Sequence, residues 1–193
     1  MTRLEDRPGP PPPHPDGVIA EYRIRPAATA DTRSFLELFA LVVAEGRYIR
    51  TDAMRRSRRF YRQRLAAAWT RDEATIVAVD RAGTVIGQLG ISREEHPVTR
   101  HVASIGMMVH PRWRGRGVGS ALMDKALEWA REMGVEKMAL SVYPDNEPAR
   151  ALYRKFGFVE EGRLSGHSKK AVGYRDEIVM GLWLVPKPEG GPP

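Results

Sequence analysis

The sequence predicts a single α/β domain, and three observations support this fold class. Apolar residues recur at helical spacing in some segments and at strand spacing in others, and the two kinds of segment alternate along the chain. A glycine-rich turn at residues 109–122 joins the end of a strand directly to the start of a helix. The length of 193 residues and the hydrophobic content of 42% suit one core.

Both ends of the chain have the composition of unpacked segments. Residues 1–17 are rich in proline and contain one large apolar residue besides the initial methionine, Leu4. Such a segment cannot bury enough apolar surface to fold. We therefore expect a disordered tail over residues 1–17, a domain over residues 18–185 and a second disordered tail over residues 186–193.

The first half of the domain has the pattern of one strand, two helices and three strands. Asp31 is the expected N-cap of the first helix, which ends near Gly46. The turn at residues 80–83 contains glycine and predicts a hairpin. The predicted elements are a strand over 18–25, helices over 31–46 and 51–68, and strands over 75–79, 84–92 and 101–109.

The second half alternates helices with strands. The helix that begins near Val118 carries one apolar stripe and ends at Gly134, a residue that suits the position after a helix. Asn146 is expected to cap a shorter helix with its side-chain oxygen. The predicted strands cover residues 137–142, 158–163 and 176–184.

The turn before the helix at Val118 has the build of an anion site. Gly115, Gly117 and Gly119 let the backbone approach a ligand without Cβ atoms. The first N–H groups of the following helix have no partner within the helix and point towards the turn. A diphosphate group fits such a site, and the neighbouring arginines add positive charge.

Two motifs occur together. The first is R-x-x-G-x-G at Arg114, Gly117 and Gly119. The second is N-x-x-A-x-x-L-Y-x-x-x-G-F, which runs from Asn146 to Phe158 and includes Tyr153. Over residues 103–159 the pair closely resembles the acetyl-CoA signature of the GNAT superfamily of N-acetyltransferases. The resemblance implies a mixed, mostly antiparallel twisted sheet flanked by helices, in the order β-α-α-β-β-β-α-β-α-β-β.

The resemblance also implies a reaction. The expected activity is direct transfer of acetyl from acetyl-CoA to a primary amine on a small amine, an amino acid or a protein N-terminus. With no cysteine in the chain, an acyl-cysteine intermediate and thiolate metal sites are excluded. We expect no metal, no membrane partner, a cytoplasmic location and, from the resemblance, a homodimer.

The resemblance assigns residues to the cosubstrate. The main chain of Met107, Met108 and Val109 is expected to pair with the pantetheine arm where the central strand parts from its neighbour. Asn146 is expected to touch the same arm in addition to capping its helix. The expected diphosphate site comprises Arg114, Gly115, Arg116, Gly117, Val118, Gly119 and Ser120.

Tyr153 is the expected general acid, since the motif places its hydroxyl near the thioester sulfur. Some family members carry a glutamate on the central strand that acts as the general base, but Ala103 stands at the matching position here. Glu45, at the end of the first helix, is the preferred base because that segment borders the acceptor cleft in the family. The alternatives are His101, Glu94, Glu95 and a chain of waters.

Tyr174 and Asp176 on the last strand are the expected substrate-binding residues. Two other functions stay open. The net charge of +7 and the arginine-rich second helix also suit a nucleic-acid-binding module. A GNAT-like domain that holds acetyl-CoA as a sensor, without turning it over, is the other alternative.

Overall fold

The computed structural model describes residues 21–50, 56–171 and 173–186, and within them one sheet is flanked by helices. The strands are β1 (Tyr22–Pro26), β2 (Glu73–Asp80), β3 (Val85–Arg93), β4 (Val102–Val109), β5 (Lys137–Val142), β6 (Val159–Lys170) and β7 (Gly173–Trp183). The α-helices are α1 (Thr32–Ala44), α2 (Arg58–Ala66), α3 (Val118–Glu132) and α4 (Glu147–Lys155).

The sheet has the strand order β1-β2-β3-β4-β5-β7-β6. Strands β4 and β5 pair in parallel, and every other neighbouring pair is antiparallel. A parallel pair requires a crossover, which α3 supplies. The predicted α/β class with a mixed, mostly antiparallel sheet is therefore confirmed.

Each face of the sheet buries its own apolar cluster. The larger cluster lies under α3 and α4, and its largest side chain, Trp129, is fully buried. The smaller cluster lies under α1 and α2 and includes Phe35 and Leu65. No helix in the described ranges is long and apolar enough to cross a membrane.

The α3 helix ends as its sequence predicts. Gly134 follows the helix with a φ of +65°, a left-handed conformation that glycine adopts without strain. The N–H of Gly134 donates to the carbonyl of Arg131 at 3.2 Å, and that of Val135 donates to the carbonyl of Ala130 at 2.8 Å. These bonds satisfy carbonyls that a helix end would otherwise leave free.

Some predicted boundaries differ from the structure. Helix α2 begins at Arg58 because the Ser57 side chain accepts the Phe60 N–H at 3.2 Å and so caps the helix there. The last two strands, β6 and β7, are longer than predicted. The bounds of β6 were missed because this strand is exposed over most of its length and lacks the apolar alternation that marks a strand. The predicted tails, except Pro186, and residues 18–20 and 51–55 lie outside the described residues.

Asp31 precedes α1 but does not cap it with its side chain. Its buried carboxylate instead accepts two bonds from the Arg25 guanidinium, at 2.7 and 2.8 Å, and one from the Ala28 N–H at 2.7 Å. Burial alone would raise the pKa of Asp31, but these hydrogen bonds and the Arg25 charge outweigh it and lower the pKa. Asp31 therefore ties the end of β1 to the chain that enters α1.

Candidate active site

The central feature of the site is a gap between β4 and β5. The two strands pair only at Val102, Ala103 and Ser104, and beyond that point they separate. Strand β5 continues alongside β7, while β4 continues alongside β3. The sheet is thus open at its centre, at the carboxyl ends of its two parallel strands.

The main-chain hydrogen bonds between β3 and β4 determine which main-chain groups of β4 face this gap. The His110 N–H donates to the carbonyl of Ile86 on the β3 side at 2.8 Å. Because hydrogen-bonding directions alternate along an antiparallel strand, the main chain of Met108 also faces β3. The main-chain groups of Met107 and Val109 face the gap. Of the three residues expected to pair with the pantetheine arm, Met108 is therefore directed away from it.

The turn before α3 forms the cradle that the glycine pattern predicts. Gly115 and Gly117 adopt φ values of +72° and +80°, in the left-handed region, and Gly117 occupies the N-cap position of α3. The first N–H bonded within the helix is that of Ala121, which donates to the Gly117 carbonyl at 3.0 Å. The N–H groups of residues 118–120 precede that bond, and no side chain in the described part of the chain caps the helix. They are available to an anion.

The cradle residues do not all face the same way. Gly115, Gly117, Gly119 and Ser120 line the cleft described below, whereas the Val118 side chain is buried in the core beneath α3. The Arg116 side chain lies on the outer surface, 3.7 Å from Glu21 and over the Trp113 ring. The cradle thus offers main-chain groups to a ligand, while the side chains of Val118 and Arg116 are engaged elsewhere.

Gly119 has a packing role that the motif alone does not reveal. A Cβ atom at this position would lie 3.0 Å from Leu152 on α4 and 3.4 Å from Met107. The glycine therefore lets α3 approach α4 and β4 closely, at the point where all three border the cleft.

Arg114 links three parts of the site. Its guanidinium donates to both carboxylate oxygens of Glu45, at 3.1 and 2.6 Å, and its Nε donates to the Val109 carbonyl at 3.1 Å. Glu45 follows the last residue of α1, so the bonds join α1, the end of β4 and the cradle. Both oxygens of Glu45 are engaged, and this carboxylate is not among the residues that line the cleft.

His110 lies beside this link. Its Nδ1 accepts the Arg112 N–H at 3.1 Å. Burial, followed by the positive charges of Arg112 and Arg114, lowers the pKa of His110 below its ordinary value. The imidazole is therefore neutral at pH 7 and acts as a local cap rather than as a charged group.

A large cleft of about 1430 Å³ runs from the cradle through the gap to the face covered by α1 and α2. Tyr153 on α4 lines it at the gap, with its ring 5.8 Å from that of Phe158. Burial raises the pKa of Tyr153 to about 12. Its phenol therefore keeps its proton throughout the neutral range.

Asn146 immediately precedes α4, at its N-cap position, and lines the same cleft. Its side-chain oxygen accepts the Ala149 N–H at 3.4 Å, which confirms the expected cap. The capped helix presents Tyr153 two turns later. Asn146 thus fixes the start of the helix that carries the tyrosine.

The far half of the cleft, beneath α1 and α2, has a distinct chemistry. Aromatic rings form one wall, with Phe35, Phe39 and Tyr61 in mutual contact at centroid distances of 5.7 to 6.3 Å. Four arginines also line this half of the cleft: Arg47, Arg50, Arg56 and Arg64. This half therefore offers apolar surface and positive charge together.

The expected substrate residues Tyr174 and Asp176 are not among the residues that line the cleft. Tyr174 is 70% exposed, and Asp176 accepts bonds from Arg163 at 2.8 Å and from the Gly166 N–H at 2.7 Å on the outer face of the hairpin. Successive side chains of a strand point to opposite faces, so the next residue, Glu177, points inwards and lines the cleft. Sequence reasoning missed Glu177, although strand alternation is the signal that distinguishes it from Asp176.

The other candidate bases are also outside the cleft lining. His101 stacks on Trp183 at the opposite end of β4, with ring centroids 6.1 Å apart. Glu94 accepts the Ser104 hydroxyl at 3.3 Å from outside, and Glu95 is exposed. Among the described residues that line the cleft, Glu177 is the one carboxylate, and none is a histidine.

The comparisons with known proteins agree with this architecture. A model of the acetyltransferase (GNAT) family matches residues 36–158, and the chain belongs to this family. The crystal structure of a GNAT superfamily phosphinothricin acetyltransferase (Pat) from Sinorhizobium meliloti, in complex with AcCoA, shares the fold with a TM-score of 0.78. The two proteins are 23% identical, and the match covers 90% of this chain and 94% of that one.

Two curated relatives are similar over about half of the chain. The L-amino acid N-acetyltransferase AaaT of Escherichia coli is 38% identical over 102 residues, which are 51% of this chain and 61% of that protein. The N-alpha-acetyltransferase RimI of Mycobacterium tuberculosis is 39% identical over 102 residues, 50% of this chain and 61% of that protein. The chain thus spans about three fifths of the length of each.

Proposed function

We propose that the protein transfers acetyl directly from acetyl-CoA to a primary amine. The observation that carries this proposal is the continuity of the cleft from the N–H cradle through the strand gap to the aromatic and arginine-lined half. The cradle suits a diphosphate, and the gap-facing main-chain groups of Met107 and the N–H of Val109 suit the amides of a pantetheine arm. A thioester at the end of that arm then lies near Tyr153.

Tyr153 acts in this proposal as the general acid. Its pKa of about 12 keeps it protonated, and its position on α4 borders the gap. When the amine displaces CoA, the phenol gives its proton to the departing sulfur, and solvent restores it afterwards. The chain has no cysteine to carry the acetyl group, which supports direct transfer.

The chemistry of the far half favours one part of the expected acceptor range. Four arginines favour an acceptor that carries a negative group besides its amine, and they disfavour a polyamine. The aromatic wall favours an apolar side chain. These features support an amino acid or a peptide N-terminus, in line with the names of the two relatives.

A screen of thiol release from acetyl-CoA tests the proposal. The panel comprises amino acids with apolar, polar and basic side chains, short peptides, aryl amines and polyamines. We expect release with apolar amino acids or peptides and little with polyamines. If the protein bound acetyl-CoA but released no thiol with any amine, the result would instead favour the sensor. If it bound duplex DNA with a salt-sensitive affinity and did not bind acetyl-CoA, the result would favour the nucleic-acid module.

A further inference from the structure

We propose that Glu177 is the proton acceptor for the amine, an assignment that rests on the proposed acetyl transfer. Glu177 lies on β7 with its carboxylate directed into the cleft from the α1 and α2 face. It immediately precedes Ile178, which pairs with Val142 at the end of β5, on the side where the sheet opens. The carboxylate is thus at the boundary between the strand gap and the acceptor half.

The Glu177 side chain is 1% exposed, and its two oxygens differ. Oε1 accepts the hydroxyl of Ser168 on β6, which fixes the orientation of the carboxylate. Among the described residues, none forms a hydrogen bond with Oε2. A buried carboxylate oxygen without a donor costs folding free energy, and beside a cleft it is a position at which a ligand can supply an N–H group.

The basic side chains near Glu177 are held by other contacts or lie only loosely against Oε2. The Arg50 guanidinium lies 3.6 Å from Oε2 and is 66% exposed, so the two groups form a loose ion pair. Lys170 on β6 donates to the carbonyls of Ile49 and Arg50 at 2.7 and 2.8 Å and so holds that segment over the cleft. Tyr143, which follows the last residue of β5, lines the cleft under the Arg175 guanidinium.

The reaction step balances without a further reagent. The amine reaches the thioester as the neutral form, after its ammonium proton has passed to solvent. As the nitrogen bonds to the carbonyl carbon it becomes positively charged and acidic, and its surplus proton passes to Oε2 of Glu177. The C–S bond then breaks, and Tyr153 protonates the sulfur. Glu177 afterwards loses its proton to solvent, and Tyr153 regains one.

The test compares steady-state kinetics of the wild type, Glu177→Gln and Glu177→Ala with the best acceptor from the screen. Gln retains an oxygen that accepts the Ser168 hydroxyl, so this variant keeps the fold. Glu37→Gln is the matched control, because it also neutralises one carboxylate but lies exposed on α1 beside Arg33. Circular dichroism and acetyl-CoA titration verify that each variant is folded and binds the cosubstrate.

We expect kcat to fall by about 10²–10⁴-fold in both Glu177 variants, with acetyl-CoA affinity unchanged. Sodium formate should restore part of the kcat of Glu177→Ala, since a small carboxylate enters the vacated space, and sodium chloride should not. A raised KM with normal kcat, or a wild-type kcat in Glu177→Gln, would overturn the assignment. Failure of the wild type to acetylate any amine would overturn the proposed function instead.

Discussion

Arg114 and Glu45 form a two-bond ion pair that joins the cradle to the end of α1, although they are 69 residues apart in the chain. The third bond of Arg114, to the Val109 carbonyl, anchors the same side chain to the end of β4. Three elements that border the cleft therefore meet on one guanidinium. The pair also engages both oxygens of the residue that the sequence favoured as general base.

The first prediction concerns this pair. We expect a double-mutant cycle of Glu45→Gln and Arg114→Ala to give a coupling free energy of unfolding of about 0.5–1 kcal/mol, because both side chains are partly exposed. Urea unfolding of the four proteins measures it. We also expect Glu45→Gln to leave the pH dependence of kcat unchanged. If Glu45→Gln changed the pH dependence of kcat, the result would instead support Glu45 as the general base.

The second prediction uses the two left-handed glycines that flank α3. Gly117→Ala and Gly134→Ala both place a side chain at positive φ, which costs about 1–2 kcal/mol of stability in each case. Only Gly117 lines the cleft. We therefore expect calorimetry to show loss of acetyl-CoA binding in Gly117→Ala and normal binding in Gly134→Ala. Equal affinities in the two variants would contradict the assignment of the cradle.

The third prediction concerns Asp31. The pKa of this carboxyl is lowered in the folded protein, so its stabilising effect is fully present above its unfolded pKa, about 3.9, and is lost as the pH falls through the folded value. We expect Asp31→Asn to lower the free energy of unfolding by about 2–3 kcal/mol at pH 7. The difference from wild type should shrink in denaturant titrations below pH 4.

The exposed pair of Arg33 and Glu37 is the matched control for Asp31. Glu37→Gln should change the free energy of unfolding by less than about 0.5 kcal/mol at either pH. If Asp31→Asn lowered the free energy of unfolding by the same amount at every pH, the shape of the Asp31 side chain, rather than its charge, would account for its contribution to stability.

Local sequence patterns were sufficient for most of the fold. The apolar stripe of α3 and the glycine at position 134 predicted a helix and its end, and both are observed. The hairpin between β2 and β3 turns at Gly83, as predicted, with a φ of +82°. The β6 strand escaped prediction in part, because its stability comes from pairing with β7 rather than from a buried face of its own.

The site was less predictable, because its geometry depends on contacts between distant segments. The cradle and Tyr153 belong to motifs and could be found locally. The engagement of Glu45 by Arg114 could not, since nothing near Glu45 in the sequence indicates its partner. Strand alternation places Asp176 and Glu177 on opposite faces of β7, but only the pairing of β7 with its neighbours decides which of the two faces the cleft.

Tyr153→Phe gives the most direct test of the account, because it keeps the ring in the core and removes only the proton that the mechanism requires. The measurement is the rate at which mass spectrometry detects acetylated acceptor from acetyl-CoA, with the cosubstrate affinity of both proteins determined in parallel. We predict a kcat about a hundredfold lower in Tyr153→Phe, at unchanged acetyl-CoA affinity. Equal rates in the two proteins, or bound acetyl-CoA with no acetylated product in the wild type, would contradict it.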